Sequence, residues 1–335
     1  MPGLPLVDYV YRSFVEGLPQ SLRRGAGSLA YSLGLTASPD VPWSHVFPQE
    51  VTLGLPLLLA EAMPGIDPAL VHQAMMAHVL TVIGTFCDDW IRDTNEELTP
   101  ELRAALDAVS QERDRAMERL GPPPEYPEFV FALADEVTAS AVTRERAMLE
   151  RHERCDFATY DHITMDKHYA ALPASMMLAR AAGMSGERLG LVLEIVMGIE
   201  LGLQTREDAR SWEDDHERGG SWVIPLLEHL QGTENEGMEA GEPRSLEEAR
   251  RRVMDSDVLV RLLERGRVYL GIARSAAEAL GMDSIACWAE REQNVTARLA
   301  EQEARIPGFA VRWERLLEAD RRTRRELASQ VKSAA

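Results

Sequence analysis

The run Leu80-Thr81-Val82-Ile83-Gly84-Thr85-Phe86-Cys87-Asp88-Asp89-Trp90-Ile91-Arg92-Asp93 decides how this chain is read. It is apolar until it ends in three aspartates. Upstream, Asp67-Pro68 supplies a helix start, with Asp as N-cap and Pro at the first position. Everything from there to Asp93 is compatible with helix, which predicts one rod of roughly 40 Å at about 1.5 Å per residue. Asp89 and Asp93, four residues apart, share a face of that rod, and Asp88 flanks them. A second run repeats the design: Glu207-Asp208-Ala209-Arg210-Ser211-Trp212-Glu213-Asp214-Asp215, downstream of the apolar Ile195-Val196-Met197-Gly198-Ile199. Glu207, Ser211 and Asp215 fall at i, i+4 and i+8, on one helical stripe. Carboxylates at a helix C-terminus oppose the macrodipole and repel one another. A chain that keeps them there twice, each time behind an apolar run, signals chemistry rather than surface decoration. Oxygen donors carried on two helices suit a hard cation.

Outward from these runs the sequence stays helical. Helices are expected over 6–34 with a break near Pro19, over 49–63 with a bend at Pro56, and from Thr99-Pro100-Glu101 to about Leu120. Others are expected over 127–152, over 157–182 with a break at Leu172-Pro173, over 186–217 up to Gly219-Gly220, and near 245–280, 283–304 and 308–330. The stretches 36–49 and 233–243 read as loops. No period-2 strand and no tandem repeat is found. The expected fold is all-α, a single large helical bundle around a hydrophobic cavity, with residues 1–335 forming one domain.

The formal charge is −19, from 55 acidic and 36 basic residues, which argues against nucleic acid and anionic membrane surfaces as partners. An anionic substrate would need metal ions or a few well-placed bases. Cys87, Cys155 and Cys287 form no metal spacing and fit a reducing compartment. The first residues lack a secretory layout, and no run of 18 uninterrupted apolar residues indicates a membrane span. A soluble, cytoplasmic protein is expected.

An apolar helix ending in DDxxxD, followed by a helix carrying an oxygen-ligand triad, resembles the class I terpenoid synthases of the isoprenoid synthase superfamily. The first motif matches Asp88, Asp89 and Asp93. The second matches Glu207, Ser211 and Asp215, with its first and last members changed. Gln204-x-x-Glu207-Asp208-x-x-Ser211-Trp212-x-x-Asp215 also resembles a Q-x-x-DD-x-x-D-W-x-x-D pattern of bacterial class I isoprenoid enzymes. The likeness covers motif order across about residues 65–320. It implies Mg2+ as cofactor, three ions held by the two motifs and the diphosphate, with Mn2+ as a substitute.

The implied activity is that of a terpene synthase, a carbon–oxygen lyase that ionises a linear prenyl diphosphate and cyclises the carbocation. By the same resemblance Lys167 and Arg312 are candidate diphosphate contacts, and a homodimer is admitted. Asp214 stands where the family often has Lys. Phe86, Trp90, Tyr169, Trp212 and Trp222 are candidates for the pocket wall but read first as core packing, and no catalytic side chain is singled out. A prenyltransferase or a squalene/phytoene-synthase-like condensing enzyme stays open, since Asp89 and Asp93 also read as DxxxD. So does a non-catalytic isoprenoid-binding helical protein. Ser211 inside the triad favours the cyclase.

Overall fold

The computed structural model describes residues 3–47, 49–94, 97–121, 134–234 and 245–306. Every regular element among them is a helix. Helix α1 (Gly3–Gly17) turns at Pro19 into α2 (Gln20–Gly27) and the single turn α3 (Leu29–Ser32). The expected loop over 36–49 contains one further helical turn, α4 (Trp43–Val46), pinned because Asp8 on α1 accepts from both the Ser44 backbone N and the Ser44 Oγ, at 3.1 and 2.7 Å. Helix α5 (Glu50–Leu59) retains Pro56 and passes into a 3-10 turn, Ala60–Ala62.

The long rod follows as α6 (Pro68–Thr94), and the Asp67 carboxylate accepts from Ala69 N at 2.8 Å, as an N-cap should. By length and composition α6 could cross a membrane. Its Ala74, Met75, Ala77, Val79, Leu80 and Ile83 are instead buried in the bundle, where it packs on α1, α5, α7 (Pro100–Arg119) and α10 (Leu172–Ala181). Between α7 and α10 lie α8 (Ala134–Glu150), α9 (Phe157–Lys167) and a 3-10 turn, Tyr169–Ala171. Pro173 sits in the first turn of α10, where its missing N–H removes no helical hydrogen bond, so the break expected there is the start of a new helix.

Helix α11 (Gly186–Glu217) is followed by α12 (Val223–Glu234), α13 (Leu246–Met254), α14 (Val258–Leu280) and α15 (Asp283–Glu303). The segment expected to run unbroken over 245–280 is two helices. Ser256 explains the break, because its Oγ accepts from Val258 N at 3.3 Å and restarts the chain. The expected helix over 308–330 lies outside the described residues.

Two helices organise the packing. Apolar side chains of α6 enter one core with α1–α4 and α7 and another with α5, α10, α11, α14 and α15. The second half of α11 joins a third core with α9, α12, α13 and α14. The approach of α11 to α14 is close because glycines face it: a Cβ on Gly198 would lie 2.7 Å from the Tyr269 carbonyl oxygen, and one on Gly202 would lie 2.6 Å from Leu270 Cγ. That seam fixes the rotation of α11, and so decides which of its acidic residues faces the interior.

Candidate active site

On α6 the two described carboxylates of the first patch diverge. Asp88 is exposed and Asp89 is part-buried, while the Asp93 side chain lies outside the described residues. The aromatics beside them belong to packing. Trp90 Nε1 donates to Leu33 O at 3.0 Å, Phe86 stacks on Trp90, and Phe47 meets Phe86 edge-on at 5.0 Å.

Asp89 finds a partner on α9. Lys167 Nζ lies 3.6 Å from Asp89 Oδ2 and 2.9 Å from Glu145 Oε2 of α8. Burial disfavours the lysine charge, but Glu145 and then Asp89 outweigh it, and Asp208 adds to them. The ammonium is held above its ordinary range. Glu145 is fixed from its other side, where Trp222 Nε1, at the entry to α12, donates to Oε1 at 2.7 Å. Three helices thus deliver two carboxylates and one ammonium to a single point. Lys167 is a candidate from the sequence; Glu145 was not, because nothing in its amphipathic surroundings marks it.

The second patch is placed by the rotation of α11. Glu207 is exposed, and Ser211 and Asp215 are half-buried. Ser211 Oγ donates to Asp215 Oδ2 at 2.5 Å, and Arg218 Nη2 donates to Asp215 Oδ1 at 3.0 Å. The inward carboxylate is Asp208, which the sequence reading did not single out. Its Oδ2 accepts from Tyr160 OH and its Oδ1 from Gln204 Nε2, each at 2.6 Å. Burial pushes the Asp208 carboxyl up to about 6, even though these two donors and Lys167 pull it down. Tyr160 is fully buried, edge-on to Trp222 at 5.5 Å. Leu201, Thr205, Ala209 and Trp212 form a buried stripe around Asp208, and Glu207 lies off it. Trp212 and Trp222 belong to that apolar core. Below Asp208, Gln204 Oε1 meets His168 Nε2 at 3.2 Å, and His168 Nδ1 lies 3.4 Å from Glu200 Oε2.

A cavity of about 260 Å³ between α6, α7 and α10 is lined by Thr81, Met117, Ala134, Pro173, Ala174 and Met177, and by the charged Arg113, Asp114, Glu118 and Asp135. Thr81 precedes Asp88 by seven residues, so it lies on the same face of α6 about 10 Å further down. At the rim Arg113 donates to Asp114 and to both carboxylate oxygens of Asp135.

Among the described residues no three His, Cys, Asp or Glu side chains converge into a preformed metal cage. Asp89 and Glu145 are hard oxygen donors that already share one cation, the Lys167 ammonium, and the Asp208 carboxylate acts on the same ammonium through space. That chemistry fits Mg2+, which binds through one or two carboxylates and completes its shell with water and substrate phosphate oxygens. Arg312 lies outside the described residues.

No protein family and no curated protein matches the sequence. Solved structures do share the fold. A polyprenyl synthase from Caulobacter crescentus CB15, complexed with calcium and isoprenyl diphosphate, is 14% identical, with a TM-score of 0.61 over 87% of this chain and 97% of that one. A geranylgeranyl pyrophosphate synthetase from the archaeon Geoglobus acetivorans is 18% identical, with a TM-score of 0.61 over 87% of this chain and 98% of that one. An octaprenyl pyrophosphate synthase from Helicobacter pylori is 13% identical, with a TM-score of 0.56 over 85% and 98%.

The expectation of a terpene cyclase, a carbon–oxygen lyase, is therefore corrected: the solved chains that share the fold are polyprenyl, geranylgeranyl and octaprenyl synthases. The feature that favoured a cyclase was Ser211 inside the triad; in the structure Ser211 and Asp215 are half-buried, Glu207 is exposed and Asp208 turns inward with Gln204. The fold itself is the all-α fold of the isoprenoid synthases.

Proposed function

We propose that this chain is a divalent-metal-dependent prenyltransferase. It moves the prenyl group of a linear prenyl diphosphate onto a second isoprenoid, forming a carbon–carbon bond and releasing diphosphate. The observation that carries the reading is the meeting of Asp89 and Glu145 on Lys167, at the ends of α6 and α9 and on α8, with the Asp208 carboxylate of α11 acting on the same ammonium, within this fold. The calcium and isoprenyl diphosphate bound by the Caulobacter polyprenyl synthase support a prenyl diphosphate and a divalent ion.

In this reading Asp88, Asp89 and Asp93 on α6, with Asp208, Ser211 and Asp215 on α11, hold Mg2+, and Glu207 stands at the outer edge. Bound Mg2+ supplies Lewis-acid neutralisation of the departing diphosphate. Lys167, placed by its two carboxylates, donates to the diphosphate oxygens, and Arg312 is a second candidate donor on sequence grounds. The apolar wall of Met117, Ala174 and Met177 takes the hydrocarbon chain and keeps water from the cationic carbon.

The test is incubation of purified protein with Mg2+ and C10 to C20 allylic diphosphates, with and without a five-carbon homoallylic diphosphate, followed by mass spectrometry. A longer product that forms from two isoprenoid units is expected. Turnover of the allylic diphosphate alone to a cyclic hydrocarbon, or no diphosphate release under any condition, overturns the reading.

A further inference from the structure

Asp208 is not free to choose its orientation, and the groups that hold it reach deeper than the site itself. Both of its contacts are donors: Tyr160 OH on one oxygen and the Gln204 amide on the other. A carboxylate accepts only, so Gln204 must turn its NH2 toward Asp208 and its carbonyl oxygen away. That oxygen faces His168 Nε2 at 3.2 Å and needs a proton there. The requirement fixes the His168 tautomer, with Nε2–H donating. His168 Nδ1 then faces the buried carboxyl of Glu200 at 3.4 Å. The contact is satisfied whether the shared proton sits on Glu200 or on the imidazole, and Nε2–H is retained in both cases. Glu200, Gln204 and Asp208 stand at i, i+4 and i+8 on α11, and His168 closes the line from the end of α9.

This line cannot carry a proton from end to end, because an amide passes one on only through its unstable imidic form. It can carry orientation. We propose that His168 and Gln204, backed by Glu200, are positioning residues that hold the Asp208 carboxylate in the geometry that receives a divalent cation. The inference rests on the prenyltransferase reading insofar as that reading brings the cation to Asp208. Groups behind a ligand commonly contribute 10–100-fold to metal affinity by fixing its direction. A group that merely filled space would contribute to stability instead.

The experiment measures Mn2+ binding to the whole chain by electron paramagnetic resonance, together with melting temperature and turnover, for wild type, His168→Ala, His168→Gln, Gln204→Met and the double variant His168→Ala/Gln204→Met. His168→Ala and Gln204→Met should each weaken Mn2+ binding about tenfold. His168→Gln, whose side-chain amide restores a donor toward Gln204, should recover most of that loss. The double variant should lose no more than either single one, since both break the same line. In turnover the loss should fall on kcat and on the Mn2+ requirement rather than on KM for the prenyl diphosphate.

If His168→Ala does not fold, Gln204→Met and His168→Gln carry the same comparison. Wild-type affinity in Gln204→Met, or additive losses in the double variant, overturns the proposal and leaves the prenyltransferase reading standing. Absence of Mn2+ binding by the wild-type chain overturns both.

Discussion

Asp208→Asn offers the sharpest separation of stability from function. The Asp208 carboxyl is 8% exposed and its pKa stands at about 6 against an ordinary 3.8. Because the folded value is raised, proton binding stabilises the fold fully below pH about 4, and this contribution is lost as pH rises through about 6. The rise from 3.8 to about 6 corresponds to about 3 kcal/mol, and about half of that remains at pH 5. For a chain of 335 residues, an unfolding entropy of about 2 cal/mol/K per residue turns 3 kcal/mol into about 4 °C.

Asn is neutral and isosteric, so it removes the charge. It also presents an NH2 where the Gln204 amide donates, which costs part of the gain at every pH. The pH dependence is free of that mismatch. Melting followed by circular dichroism in a chelating buffer should show the Asn variant gaining about 2 °C more, relative to wild type, at pH 7.5 than at pH 5. Turnover should fall by at least about a hundredfold, since a neutral amide holds Mg2+ poorly. A stability difference that does not change with pH, or grows toward acid, refutes the argument that ionised Asp208 is a burden in the unloaded fold.

Two further substitutions probe the frame of the site. Lys167→Met leaves Asp89 and Glu145 without their shared cation. It should lower the melting temperature by about 4–7 °C, abolish turnover, and give a larger stabilisation by added Mg2+ than the wild type shows, measured by thermal shift. Gly198→Ala puts a Cβ 2.7 Å from the Tyr269 carbonyl oxygen in the α11–α14 seam. Overpacking of about 1–3 kcal/mol follows, with a loss of a few degrees in calorimetry; an unchanged melting curve would show that the two helices separate freely.

Much of the architecture could be read from local chemistry. Asp67 and Thr99 cap their helices as Asx and Thr N-caps do, with 2.8 and 3.2 Å side-chain bonds. Gly219, at φ 82°, ends α11 where the Gly219-Gly220 pair was expected to end it. What local chemistry misjudged was subtle: the 255–257 break depends on a serine hydroxyl turning back to the chain rather than on a proline or glycine.

The candidate site was legible only in part, and the residues show why. Lys167 and Asp89 were both named, but nothing in a linear sequence brings them to 3.6 Å. Glu145 stands on an exposed-looking amphipathic helix, and its role comes from Trp222, 77 residues away. Glu207 and Asp208 are adjacent carboxylates about 100° apart on the helix, so periodicity alone supports either as the inward one. The sequence by itself determined a helical bundle with acidic ends on two long apolar rods, because helix caps and 3.6-residue periodicity are properties of neighbours in the chain. Which acid faces the interior, and which lysine answers it, was decided by tertiary structure: the seam of α11 glycines against α14 sets the rotation of α11, and rotation is a contact between distant segments.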